Sequence, residues 1–174
     1  MAIYVPQILG YEPFYIQKDG ASTATNILTA YGVIVKDSGY PMNRKVKQPY
    51  ANHWNDRDGD DEWNTRLYYE AFTYNLECAI FVRNSNGDDA ARAELETAVR
   101  AFENFIKQGE FSFFSAWHKF GFQHVRTDEF HAPPASEFLV YQDTARVIFT
   151  LTVKVNDPMT DMTYDSTNNA IVTL

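Results

Sequence analysis

The chain has 174 residues, of which 45% are hydrophobic and 16% aromatic, and its formal net charge is −8. This length allows one domain with a substantial core and leaves little room for a second. An acidic surface repels phosphate, so the composition argues against a protein whose main task is to grip DNA or RNA.

The cysteine content and the first residues indicate the cellular compartment in which the protein is made. Cys78 is the single cysteine and lies inside an alternating strand pattern, so we expect a small buried hydrophobe rather than a nucleophile. Met1 to Gly10 lacks the basic and apolar regions of a secretory signal, and no run of 18 apolar residues occurs. The sequence therefore predicts a protein made in the cytoplasm, without a membrane anchor.

The first 64 residues are predicted to be an extended N-terminal region followed by a long loop. Asn26 to Lys36 contains the β-branched run Val33-Ile34-Val35, which favours a strand. Tyr40 to Asn64 contains prolines, glycine and a dense acidic cluster and has no sustained apolar period. A loop of this length in a compact domain tends to be functional or disordered.

Residues 65 to 156 carry the strongest periodic signals. Tyr68 to Val82 and Arg146 to Asn156 alternate between apolar and polar positions, which predicts two long strands with one buried face each. Shorter strands are predicted at Phe120 to Arg126 and Glu137 to Gln142, with a loop at Thr127 to Ser136 between them. Pro158 is predicted to end the last long strand.

An amphipathic helix is predicted from Asp88 to Gln108. Apolar residues recur at spacings of three and four, at Ala91, Leu95, Ala98, Val99, Phe102, Phe105 and Ile106. The opposite side holds Arg92, Glu96, Arg100, Glu103 and Lys107, spaced as successive opposite-charge pairs. The helix should bury one stripe and expose a charged face.

These elements predict an α+β fold in one domain, residues 1–174. We expect a single antiparallel or mixed β-sheet with the main amphipathic helix packed on one face, plus a long loop or hairpin extension. Residues 1–64 form the extended region and loop, residues 65–156 the α+β core, and residues 157–174 a polar tail. The tail ends in an apolar run and is either a final edge strand or an arm that reaches a neighbour.

The long loop holds the candidate interaction residues, which are acidic or aromatic. They are Trp54, Asp56, Asp58, Asp60, Asp61, Glu62 and Trp63. Two tryptophans in a loop indicate either docking onto a partner or folding back onto the parent domain, and both interpretations stay open.

The acidic cluster also raises the question of a cation, since hard oxygen ligands at alternate loop positions suit Ca²⁺. Aligning Gly59 with the invariant glycine of an EF-hand places Trp54 and Thr65 at positions that require acidic ligands, so that motif fails. A looser cation site is an alternative to a solvated acidic loop. His53, His118, His124 and His131 lack the close pairing typical of zinc ligands.

No nucleophile elbow, phosphate-binding loop or dinucleotide fingerprint occurs in the sequence. We therefore assign no catalytic residue, metal ligand or cofactor and expect a protein that is not an enzyme.

The stretch from Tyr69 to Asn156 resembles the tail-terminator (tail-completion) proteins of long-tailed bacteriophages and prophages, and the related neck proteins. The resemblance is carried by the strand Phe72 to Val82, the helix around Ala93 to Arg100, a β-rich segment and the late strand Ala145 to Val153. It covers about half of the chain and depends on the layout of elements rather than on an invariant motif. The long loop before Asn64 departs from the family's pattern, in which a helix usually comes first.

The resemblance implies a structural virion protein that forms a homo-oligomeric, typically hexameric ring. Such a head-tail connector caps the tail tube, contacts tail-tube and head-closure proteins, and lets DNA pass without gripping it. It would be assembled in the bacterial cytoplasm and would reside in the virion. A negative charge fits a lumen through which a duplex slides, because like charges repel.

Three alternatives stay open, and two of them belong to other functional classes. The chain could be another virion component, such as a tail-tube or head-closure protein. It could be a monomeric carbohydrate- or peptide-binding module that stacks ligands on Trp54 and Trp63. A metal-dependent enzyme would need an ion near the acidic loop.

Overall fold

The computed structural model describes residues 13–37, 45–47, 51–53, 60–62, 69–131, 133–134 and 137–174. For residues 36–37, 51–53 and 60–62 the description covers the backbone alone.

The described chain is built mainly from antiparallel strands. The strands are β1 (Phe14–Lys18), β2 (Thr25–Asn26), β3 (Val33–Asp37), β4 (Ala51–His53), β5 (Asp60–Glu62), β6 (Phe72–Arg83), β7 (Phe111–Ser115), β8 (Phe120–His131), β9 (Leu139–Val140), β10 (Thr144–Asp165) and β11 (Ala170–Thr173). The helices are α1 (Ile27–Tyr31) and α2 (Asp88–Ile106). The main sheet has the order β2-β1-β7-β8-β10-β6-β3, and β9 and β11 each pair with β10.

The predicted α+β fold class is wrong. The described residues form a mainly β structure, an antiparallel sheet curled into half of a barrel, with one long helix. Two segments account for much of the difference. Residues 127–131 extend β8 where a loop was predicted, and β10 runs on to Asp165 through the predicted tail. Phe111–Ser115, whose aromatic sequence fits either a strand or a helical turn, is a strand.

The two long alternating segments form neighbouring strands, as their patterns predicted. Val153 lies opposite Tyr74 and Leu151 opposite Leu76, and all four side chains are buried. The predicted helix is present as α2, with Leu95, Phe102 and Ile106 fully buried. Buried side chains of β1, β3, β6, β7, β8, β10 and both helices share one cluster, so the curled sheet packs around α2.

The segment predicted as a tail builds a second, smaller cluster. After Asp157, β10 continues and pairs with β11, which makes the tail a hairpin with a final edge strand. Met162 and Ile171 of this hairpin are buried with Phe114, and the rings of Tyr15 and Tyr164 stack with centroids 3.9 Å apart. The hairpin therefore covers β1 and β7 on the side opposite to the main core.

A bulge explains why β10 passes Pro158 rather than ending there. The pairing of β10 with β8 changes register between Asp157 and Asp161. Proline lacks an N–H donor and is tolerated at such irregular positions. The Asp157 carboxylate accepts hydrogen bonds from the Met159 N–H (3.0 Å), the Thr160 hydroxyl (2.8 Å) and the Gln123 amide (2.8 Å).

Candidate interaction surface

The predicted interaction loop falls mostly outside the described residues. Trp54, Asp56, Asp58 and Trp63 lie outside them. The backbone of Asp60, Asp61 and Glu62 forms β5, which pairs antiparallel with β4, so that His53 lies opposite Asp60. The acidic residues at the end of the predicted loop thus belong to a two-stranded hairpin.

Cys78 is buried, as predicted. Burial raises the pKa of its thiol, and the neighbouring negative charge of Glu77 raises that pKa further. Because the thiolate is the nucleophilic form, this environment keeps Cys78 unreactive.

The structure describes the side chains of His118, His124 and His131. His118 belongs to the turn between β7 and β8. His124 Nδ1 lies 3.2 Å from a Glu110 carboxylate oxygen, and His131 Nε2 lies 3.3 Å from Glu129. Across the ranges that the structure describes, no three His, Cys, Asp or Glu side chains come together as metal ligands would.

The helices within the described ranges are all too short or too polar to cross a lipid bilayer.

A polar pocket of about 140 Å³ lies beside the C-terminal end of α2. Lys18 Nζ donates to the Ile106 carbonyl at 3.1 Å and lies 4.9 Å from the ring centroids of Phe105 and Phe111. Burial lowers the pKa of Lys18 to about 8. Since Lys18 satisfies a terminal helix carbonyl, it has a structural role here.

Other polar side chains around this pocket are also used within the fold. Gln17 donates to the Ala21 carbonyl at 2.8 Å and accepts from the Ile171 N–H at 2.6 Å. We interpret the pocket as a junction of β1, β7, β8 and β11 rather than as a ligand site.

A groove of about 340 Å³ runs along the charged face of α2, and we call it the helix groove. It is lined by Arg92, Glu96, Val99, Arg100, Glu103, Pro133 and Phe138. Of the opposite-charge pairs predicted on this face, Glu103 and Lys107 form an ion pair. Within the described part of the chain, Arg92, Glu96 and Arg100 form no ion pair, which leaves their charges available to a partner.

Large apolar side chains are exposed at the β10–β11 hairpin. Val172 of β11 is 39% exposed, and Met159 beside the bulge is 45% exposed. The N–H of Leu174, which is 83% exposed, donates to the Asp161 carbonyl at 3.0 Å, so Leu174 lies at the same end of the hairpin as Met159. We call these three residues the hairpin patch.

No protein-family model matches this sequence, and a search of curated proteins finds no significant match.

The loop predicted as an interaction surface stays a prediction, because Trp54, Asp56, Asp58 and Trp63 lie outside the described residues. The helix groove uses charged residues that the helical pattern did reveal, but its far wall comes from Pro133 and Phe138, which only the fold brings next to α2. Residues 157–174 were predicted as a polar tail whose apolar end is either an edge strand or an arm that reaches a neighbour. The structure shows the edge strand, but the exposure of Met159 beside it was not predicted.

Proposed function

We propose that this protein is a non-enzymatic structural subunit of a phage-like particle, a tail-terminator or head–tail joining protein that assembles into a ring. The observation that carries the proposal is the hairpin patch, in which Met159, Val172 and Leu174 are exposed. Large apolar side chains exposed near one end of a hairpin are candidates for contact with another protein chain.

The sequence pattern supports the same role. The resemblance to tail-terminator proteins depends on a long strand, a helix and a late strand, which correspond to β6, α2 and β10. The net charge of −8 suits a channel protein that must not retain a passing duplex. The partners proposed on this basis are further copies of the chain, a tail-tube protein and a head-closure protein.

The geometry of the sheet adds a further argument. A half-barrel does not close on itself, so its end strands keep edges through which other chains can pair. In the described residues, β3 pairs with β6 alone. Association of subunits is one means by which natural proteins cover such edges.

The test is the mass of the full-length protein in solution over a hundredfold range of concentration, measured by light scattering and native mass spectrometry. We expect a multimer that grows with concentration toward a closed species, about 120 kDa for six chains of 20.0 kDa. Val172→Asp places a charge in the hairpin patch and should shift the distribution toward monomer.

Tyr141→Asp is the matched control, because Tyr141 is 49% exposed but lies in the turn before β10. It should leave the multimer unchanged, and the melting temperature of each variant shows whether it is folded. A monomer at every concentration would overturn the proposal. Such a monomer that also binds an oligosaccharide or a peptide through Trp54 would support the binding-module alternative instead.

A further inference from the structure

We propose that Asn86, in the exposed turn between β6 and α2, is a modification site that deamidates without an enzyme to aspartate and isoaspartate. The reaction uses only the neighbouring pair Asn86-Gly87 and water. This inference is therefore independent of the proposed function.

The main chain is anchored on both sides of Asn86, whereas Asn86 itself is free to react. The Asn84 N–H donates to the Asp143 carbonyl at 3.0 Å, and the Ala91 N–H donates to the Gly87 carbonyl at 3.0 Å. Between these anchors Asn86 is exposed. Within the part of the chain that the structure describes, neither its side chain nor the Gly87 N–H makes a hydrogen bond.

The fold requires glycine after Asn86. Gly87 lies directly before α2 with φ 96° and ψ 162°, a region of backbone conformation that is essentially restricted to glycine. Because glycine has no side chain, nothing on Gly87 itself shields its backbone nitrogen from the neighbouring amide. No other atom crowds the position either, since a Cβ built on Gly87 would meet nothing within 4 Å. The conformation that begins α2 therefore also makes Asn86 reactive.

The reaction is an intramolecular substitution followed by hydrolysis. The Gly87 nitrogen gives its proton to solvent and attacks Cγ of Asn86, so that an N–Cγ bond forms. The Cγ–Nδ2 bond breaks, and Nδ2 takes up a proton and leaves as ammonia. A water molecule then opens the cyclic imide. Cleavage of the N–Cγ bond gives aspartate, and cleavage of the bond from the nitrogen to the backbone carbonyl carbon gives isoaspartate. The attack is favoured because both reacting groups belong to adjacent residues.

Two other asparagines are internal controls. Asn84 lies in the same turn, but its Nδ2 donates to Asp88 Oδ1 at 2.8 Å and to the Tyr141 carbonyl at 2.9 Å, and a serine follows it. Asn168 is exposed in the turn between β10 and β11, but its Nδ2 donates to Asp165 Oδ2 at 2.7 Å, and a second asparagine follows it. Both amides are held by hydrogen bonds, and the residue after each carries a side chain that hinders attack by its nitrogen.

The experiment follows the full-length protein during incubation in mildly alkaline buffer. Trypsin releases residues 84–92 as one peptide that contains both Asn84 and Asn86, and fragmentation in the mass spectrometer assigns the conversion of amide to acid to one of them. We expect Asn86 to react at least about tenfold faster than Asn84 or Asn168. The product should separate into an aspartate and an isoaspartate peptide, as a cyclic imide requires.

The Asn86→Gln variant is the matched control, because glutamine would have to close a larger ring. Its peptide should stay unmodified over the same period. Incubation in urea tests the contribution of the fold: loss of the hydrogen bonds of Asn84 should accelerate Asn84 more than Asn86. An Asn86 rate that rises more than about tenfold in urea would show that the folded turn protects it.

That result would overturn the proposal, as would reaction of Asn86 no faster than that of Asn84, or formation of aspartate without isoaspartate. The oligomeric state of the unaltered protein tests the proposed function separately, so either proposal can fail without the other.

Discussion

Replacing Gly121 by alanine would force β7 and β8 apart. A Cβ atom at Gly121 would lie 2.1 Å from the Phe113 carbonyl oxygen and 3.1 Å from the Phe114 Cα, both of which are backbone atoms. Side-chain rotation cannot relieve a clash with backbone, so the strands must separate by about an ångström.

The loss in free energy of unfolding follows from the contacts that separating β7 and β8 would disturb. Gly121 lies opposite Phe114, next to the paired Phe113 and Phe122, and these residues are buried. Overpacking costs about 1–3 kcal/mol, and a buried backbone group left unsatisfied costs a further 1–3 kcal/mol. We expect the free energy of unfolding to fall by about 2–6 kcal/mol, measured by urea denaturation.

Gly109→Ala is the control, because Gly109 has a φ of +68° and open space around its Cα hydrogens. Its expected loss is about 1–2 kcal/mol, from backbone conformation alone. If Gly121→Ala is no more destabilising than Gly109→Ala, the close approach of β7 and β8 is refuted.

Three further changes probe other parts of the fold. Phe102→Ala should lower the free energy of unfolding by about 3–5 kcal/mol in urea denaturation, because Phe102 is fully buried against Phe149. Burial lowers the pKa of Lys18 from 10.5 to about 8, so the unfolded chain binds more protons between these pH values and stability rises with pH across them. Lys18→Met should flatten that rise in melting temperature relative to the unaltered protein. Partial burial raises the pKa of Asp157, but its hydrogen bonds outweigh this and hold the pKa below its usual value. The stability that Asp157 provides is therefore present near neutral pH and lost in acid, and Asp157→Ala should melt lower at pH 7 with a weaker loss on acidification.

The elements that sequence could predict are those whose burial follows one period. The first half of β10 alternates without interruption, β6 alternates except at the buried Ala79, and α2 has a continuous stripe from Ala91 to Ile106. Such patterns specify which side chains are buried, and the structure buries them.

The elements that sequence missed depend on contacts between distant segments. Residues 162–165 join β10 because β11 pairs with them and because Tyr15 and Phe114 supply an apolar surface beneath. Local composition suggests a polar tail, since only one face of this hairpin is apolar. A proline at position 158 is typical of a strand end, but the bulge that begins at Asp157 accommodates Pro158 within β10.

The candidate site also combines residues that the sequence predicts with residues that only the fold brings together. The charged residues of the helix groove could be read from helical spacing, whereas Phe138 reaches the groove through β9, whose position is set by pairing with β10. No local signal in the sequence joins residues 92 and 138.

Electron microscopy of the purified full-length protein at high concentration tests the central claim most directly. We predict closed annular particles, with a central opening wide enough for a DNA duplex, that are lost in the Val172→Asp variant. A field of single 20.0 kDa particles, or open filaments without closed rings, would contradict it.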